Sequence, residues 1–181
     1  MSINVPASVD ATDGTPALVD GLRNQLGLLP NLYSALAHST TALPRCIALR
    51  GPDNSLTARE HSVIALGVAQ VNDCLYVLSE QTARARDNGF SDGEIMELRH
   101  GCASFDSRLD ALARLVHNIA IERGFADSPL MDAFAAAGYR QENLVDMMLS
   151  IGAMTINSYF ANATQPAIDF PLAPRGVVGR R

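Results

Sequence analysis

No stretch of the 181 residues alternates apolar and polar positions with period two for long enough to make a convincing strand, whereas apolar residues recur at helical spacing through most of the chain. Start and stop signals divide that periodicity into separate helices. Thr15-Pro16 reads as an N-cap followed by proline at the first helical position, opening a helix to about Gly27. Pro30 to His38 and Leu43 to Arg50 read as short helical pieces, with Gly51-Pro52-Asp53-Asn54 as the turn after them. Thr57-Ala58-Arg59-Glu60 is a capping box, followed by Ile64, Gly67, Val68 and Val71. Asn72-Asp73 interrupts this helix and is placed to cap the next, Cys74 to Asn88, which Gly89 closes. A second capping box, Ser91-Asp92-Gly93-Glu94, opens a short helix to about His100. Beyond a loop at Gly101 to Asp106, Leu109, Leu112, Ala113, Val116, Ile119 and Ala120 form a stripe, and Ser128-Pro129 starts a helix ended by Gly138. The reading is all-α: an N-terminal arm over 1–14, a helical domain over 15–165 and an extended tail over 166–181, the tail marked by Pro166, Pro171, Pro174 and Gly176.

A long last helix is expected from Gln141 to Ala163. Its apolar residues, Leu144, Val145, Met147, Met148, Leu149, Ile151, Met154, Ile156, Tyr159 and Phe160, cover more than one face. In a chain this small such a helix implies a subunit interface, hence an obligate homo-oligomer.

Composition excludes several functions. Hydrophobic residues are 48% and charged ones 18%, enough to build a core that buries about 70% of the unfolded chain's surface. All 14 basic residues are arginine, which removes Schiff-base lysines and the P-loop lysine. A net charge of -5 with no basic run is unsuited to nucleic acid. The first basic residue is Arg23, no apolar segment of a secretory signal precedes it, and the longest apolar run, Val63 to Val71, is too short for a bilayer. Three cysteines, Cys46, Cys74 and Cys102, make no disulfide framework, and neither C-x-x-C nor C-x-x-H spacing occurs, so the expectation is a cytoplasmic protein without membrane contact, metal or other cofactor.

Residues 56–90, LTAREHSVIALGVAQVNDCLYVLSEQTARARDNGF, resemble the central motif of the alkylhydroperoxidase D-like, or carboxymuconolactone decarboxylase, family, in which a helix opening with R-E-R-E is followed by an N-x-C break and C-x-x-C-x-x-x-H. NSYFANATQPAIDFP (157–171) is similar to the ending of that family's peroxidase-related branch, and PNLYSALAHS (30–39) to its upstream helix. The resemblance implies an all-helical, oligomeric fold and peroxidase or decarboxylase ancestry. It also exposes departures. Cys74 stands at the first cysteine position, but the second holds Val77, the histidine position holds Gln81, the proton-relay glutamate position holds Ser62, and a histidine position in the last helix holds Asn162. Dithiol peroxide reduction needs a second thiol to resolve the sulfenic acid, and a relay needs groups that exchange protons near neutral pH. Valine, serine, glutamine and asparagine supply neither.

The candidate site therefore comprises Cys74 as a lone nucleophile or a buried packing residue, and Ser62, Val77, Gln81 and Asn162 as pocket residues. His61 is offset by one residue from Ser62 and is expected to face solvent or a neighbouring subunit, with a replacement base as the alternative. Glu80 reads as a solvated helix carboxylate or a relocated acid–base group, and His38 as a possible cavity residue from the upstream helix. Arg84 and Arg86 read as a charged helix face. Three functions follow: a repurposed pocket in which Ser62, Cys74, Gln81 and Asn162 bind a small organic molecule without thiol redox chemistry; a non-catalytic structural or interaction oligomer; and a single-cysteine peroxidase through Cys74. A decarboxylase is weaker, because the histidine is missing at position 81.

Overall fold

The computed structural model describes residues 16–49 and 54–174. The expected arm, the Thr15 cap, the turn at Gly51 to Asp53 and the tail from Arg175 lie outside the described residues. Among the described residues there are nine α-helices and no strand: α1 Pro16–Leu26, α2 Asn31–Leu36, α3 Ala42–Ala48, α4 Ala58–Val71, α5 Leu75–Asp87, α6 Asp92–Arg99, α7 Ser107–Ile121, α8 Ser128–Ala136 and α9 Gln141–Thr164.

Both capping boxes form. The Thr57 hydroxyl accepts from the Glu60 N–H while the Glu60 carboxylate accepts from the Thr57 N–H, and Ser91 and Glu94 repeat the exchange at α6. Asp106 caps α7 by accepting from the N–H groups of Arg108 and Leu109. The α4–α5 junction departs from the sequence reading. Asp73 takes a left-handed conformation (φ 47°) to turn the chain, so Cys74, not Asn72 or Asp73, becomes the extended N-cap of α5 and makes no side-chain capping bond.

α4 is the central element. Val63, Ile64, Leu66 and Val68 are fully buried, and α5, α6, α7 and α9 all pack around it. Each such side chain contributes roughly 1.5–3 kcal/mol of burial. At Gly67 α4 faces α7 directly: an added Cβ would sit 3.5 Å from Val116 Cγ1, an ordinary contact distance. Gly101, between α6 and α7, is required twice over. Its φ is +76°, and a Cβ would fall 2.6 Å from the His117 ring.

Residues 166–174 run as an extended strap back across the helices. Asp169 anchors it, accepting from the Asn31 N–H (2.7 Å) and from the Tyr76 hydroxyl (2.6 Å), which itself accepts from the Leu32 N–H. Further along, Ala173 N–H donates to Ser79 Oγ (3.1 Å) and Arg99 Nη1 to the Pro174 carbonyl (2.7 Å). Arg99 is buried, and it also donates to two neutral acceptors, Gln70 Oε1 (2.8 Å) and the Met96 sulfur. Burial lowers its pKa.

α9 is long and apolar enough to cross a bilayer by length and composition, with a mean hydropathy of 1.2 in its most apolar window. It is instead a core helix on one side: Met147, Ile151, Ala153, Met154 and Ala161 are buried against the body of the fold. Val145, Met148, Leu149, Ile156 and Tyr159 remain exposed.

Candidate functional site

A cavity of about 330 Å³ lies between the first turns of α4 and the C-terminal half of α5, lined by Ala58, His61, Ser62, Gln81, Arg84, Asp87 and Asn88. Helical spacing explains the α5 wall, since Gln81, Arg84 and Asn88 follow at i, i+3 and i+7.

The α4 wall is held in place by hydrogen bonds. Asn88 Nδ2 donates to Ser62 Oγ (2.9 Å) and to the Ala58 carbonyl (3.2 Å), while the Ser62 hydroxyl donates to that same carbonyl (3.2 Å). The Ser62 proton is thus turned to the backbone rather than to His61, which rules out an activated serine in this geometry. His61 sits between two elements: Nε2 lies 3.1 Å from Asn54 Oδ1 and Nδ1 lies 3.3 Å from Ser150 Oγ on α9. Asn54 Oδ1 also accepts from the Leu56 N–H (2.9 Å), which orients the amide. Nε2 also lies 2.9 Å from Asn54 Nδ2, so the Asn54 amide and Ser150 hold the ring from both of its nitrogens, and the tautomer decides which atom of each pair donates. Beside it, Asp146 accepts from the N–H and hydroxyl of Ser55 (2.8 and 2.6 Å); these bonds hold its pKa below the usual range, helped by His61.

Gln81 is buried, lines the cavity, and has an amide nitrogen with no hydrogen-bond partner. Arg84 spends Nε (3.0 Å) and Nη2 (2.9 Å) on Glu80 Oε1. Asp87 adds a carboxylate to the rim.

The structure brings Ser62, Gln81 and His61 together and leaves the other candidates elsewhere. His61, offset by one residue from Ser62, borders the cavity as well. Adjacent helix positions diverge by about 100°, and both border an opening this broad. Glu80 is a correction: it is 1% exposed, because Tyr33 of α2 covers it, the Tyr33 hydroxyl lying 3.5 Å from Oε1. Its charge is compensated by Arg84, which is therefore a wall residue and ion-pair partner rather than a plain charged face. Val77 is fully buried one turn before Gln81 and belongs to the core. Asn162 is exposed and donates to the Asn72 carbonyl (2.9 Å) at the far end of α4, and His38 is exposed beyond α2; neither lines the cavity.

Cys74 is also outside the cavity wall, about 10 Å along the α5 axis from Gln81. It is fully buried. Burial pushes its pKa up, and the opposing contacts from the backbone of Val77 and Tyr76 and from the Ser158 side chain do not reverse that. A place at the N-terminus of α5 favours the thiolate, but desolvation outweighs it. Cys46 and Cys102 are half-buried and free, and burial raises both. Among the described residues no group of three or more His, Cys, Asp or Glu side chains gathers to hold a metal.

Arg84, Asp87, Asn88 and Ala58 are wall residues the sequence reading did not select. The i+3 and i+7 relation of Arg84 and Asn88 to Gln81 was the available signal for two of them.

Residues 40–117, which contain this cavity and both helices that form it, match the carboxymuconolactone decarboxylase family. The fold agrees. A peroxidase-related protein from Silicibacter sp. TM1040 superposes with a TM-score of 0.79 at 19% identity, covering 92% of this chain and 90% of that one. An alkylhydroperoxidase AhpD core protein from Ralstonia eutropha JMP134 gives 0.80 at 17% identity, with 91% and 90% covered. The debrominase Bmp8 in complex with 2,3,4-tribromopyrrole gives 0.78 at 14% identity, with 93% and 92% covered. No curated protein matches the sequence.

Proposed function

We propose that the α4–α5 cavity binds a small polar organic molecule, and that any chemistry performed there is acid–base rather than thiol redox chemistry, in a cytoplasmic homo-oligomer. The observation that carries this reading is the Gln81 amide nitrogen, which is buried in the cavity wall without a partner. A buried donor left unpaired costs roughly 1–3 kcal/mol, and a ligand acceptor offsets that cost. The walls offer mixed polarity: a guanidinium from Arg84, a carboxylate from Asp87 and the imidazole of His61, whose ordinary titration range includes neutral pH. The likeness to a debrominase that holds a bromopyrrole supports the idea that this architecture accommodates small organic ligands.

The test is a fragment screen by thermal shift and ligand-observed NMR with the full-length protein, repeated on Gln81→Ala and Ser62→Ala. Hits that bind the parent should lose at least fivefold in affinity in Gln81→Ala. Unchanged affinity in both variants overturns the reading.

A second reading, a structural or interaction oligomer, is favoured by the exposed apolar face of α9. A single-cysteine peroxidase draws no support from Cys74, because its thiol is enclosed and its pKa is raised.

A further inference from the structure

Arg84 and Asp87 put one formal charge of each sign on the cavity wall, and only that of Arg84 is answered. Arg84 places Nε and Nη2 on a single oxygen of Glu80, at 3.0 and 2.9 Å, and Glu80 is buried beneath Tyr33, so guanidinium and carboxylate form a neutral unit. Burial alone would lower the Arg84 pKa. The Glu80 carboxylate beside it, with Asp87 further off, outweighs burial, and the net shift is upward.

Asp87 has no such partner. It is exposed at the rim, and among the described residues no hydrogen bond or ion pair engages its carboxylate. The two arginines of the same helix turn are engaged elsewhere, Arg84 on Glu80 and Arg86 on Asp92 (2.8 Å). Arg59, on the first turn of α4, lies over the Phe90 ring and donates to the Asn88 carbonyl (3.2 Å). Helix stability does not ask for a carboxylate here either. Asp87 is the last residue of α5, where the negative end of the helix dipole disfavours a further negative charge, and aspartate is a poor helix former.

The hydrogen-bonding groups of the wall are equally one-sided. Ser62 and Asn88 are committed to each other and to the Ala58 carbonyl, whereas the Gln81 amide nitrogen is a donor without an acceptor. A ligand that completes this wall brings an acceptor for Gln81 and a cation for Asp87. An anion instead meets two carboxylates, Glu80 and Asp87, against the one guanidinium of Arg84.

We propose that the cavity selects its ligand by charge, taking a small molecule with a protonated amine directed to Asp87 and a hydrogen-bond acceptor directed to Gln81, and disfavouring carboxylates of the same size. This specificity rests on the reading that the cavity binds small organic molecules, and it makes Asp87 the residue that sets ligand charge.

The experiment uses three probes on one scaffold: benzamide, para-aminomethylbenzamide and para-carbamoylbenzoate, which are neutral, cationic and anionic. Their affinities for the full-length parent, Asp87→Asn and Gln81→Ala are measured by ligand-observed NMR at pH 8 in low salt. The amine should bind the parent at least about tenfold more tightly than the carboxylate, with benzamide between them, and high salt should shrink the gap. Asp87→Asn should cut that gap to about twofold, and should melt no lower than the parent because it removes no bond within the chain. Gln81→Ala should weaken all three probes by a similar factor and leave the gap in place. If none of the three binds the parent, the cavity reading itself fails and the specificity falls with it. If the carboxylate binds as tightly as the amine, or if Asp87→Asn leaves the gap unchanged, the charge selection is overturned while the cavity reading stands.

Discussion

The side-chain amide of Asn88 reaches Ser62 Oγ at 2.9 Å and thereby clasps the end of α5 to the first turns of α4, closing one side of the cavity. Ser62 is thus a structural acceptor whose own proton faces the backbone.

Ser62→Ala should therefore cost stability as well as alter the cavity. Losing the acceptor for Asn88 removes about 1 kcal/mol. Asn88→Ala, which also gives up the bond to the Ala58 carbonyl, should cost about 1–2 kcal/mol. Urea denaturation of both single variants and the double variant should show that the effects are not additive.

Cys74 should be inert in the folded protein. Its reaction with a thiol-specific reagent, followed by peptide mass spectrometry, is expected to be at least a hundredfold slower than in denaturant. Hydroperoxide consumption with dithiothreitol should be the same for the parent and Cys74→Ser. A fast-reacting native Cys74 would contradict the burial described above.

The Glu60 cluster gives a pH dependence with a defined sign. Burial raises the Glu60 pKa, but bonds from the Thr57 N–H and hydroxyl and from Arg108, with the Tyr139 hydroxyl nearby, outweigh it, so the net shift is downward from the ordinary 4.5. A depressed carboxylate stabilises the fold above its unfolded pKa, and that contribution disappears as pH falls through the lower folded value. Glu60→Gln should thus destabilise at pH 7, and the gap between variant and parent should narrow below pH 4.5 in urea titrations.

Gly101→Ala should be among the most damaging single changes. The left-handed backbone costs a non-glycine residue about 1–2 kcal/mol, and the added methyl must also displace the His117 ring. A loss of at least about 2 kcal/mol is expected. His117→Ala in the same background should recover little, because the His117 Cβ, itself 2.6 Å from the added methyl, remains.

The helices were legible because their boundaries are local chemistry: Thr57 with Glu60, Ser91 with Glu94, and Pro129 at the start of α8 each announce themselves within four residues. The site was legible only in part. Ser62 and Gln81 could be selected because they fill positions that the family motif marks, and they do share a wall. The burial of Glu80 depends on Tyr33, forty-seven residues away, and no periodicity on α5 reveals it. Cys74 failed as an activated thiol for a similar reason, since what overrides its place at a helix terminus is enclosure by distant segments, including Ser158. The last helix was expected to be apolar on more than one face, but which side would stay uncovered required the packing against α4 and α5.

The strap also has a consequence for how the chain matures. Arg99 and Tyr76 are positioned by α6 and α5, yet they find partners for their polar ends in Pro174 and Asp169, which a ribosome delivers only after all nine helices have been made. Until then a guanidinium and a phenol wait beside an apolar interior without those contacts. The body can collapse early, but its seal waits for the strap, and a nascent chain halted short of residue 169 should stay open to proteases where one that carries the strap is closed.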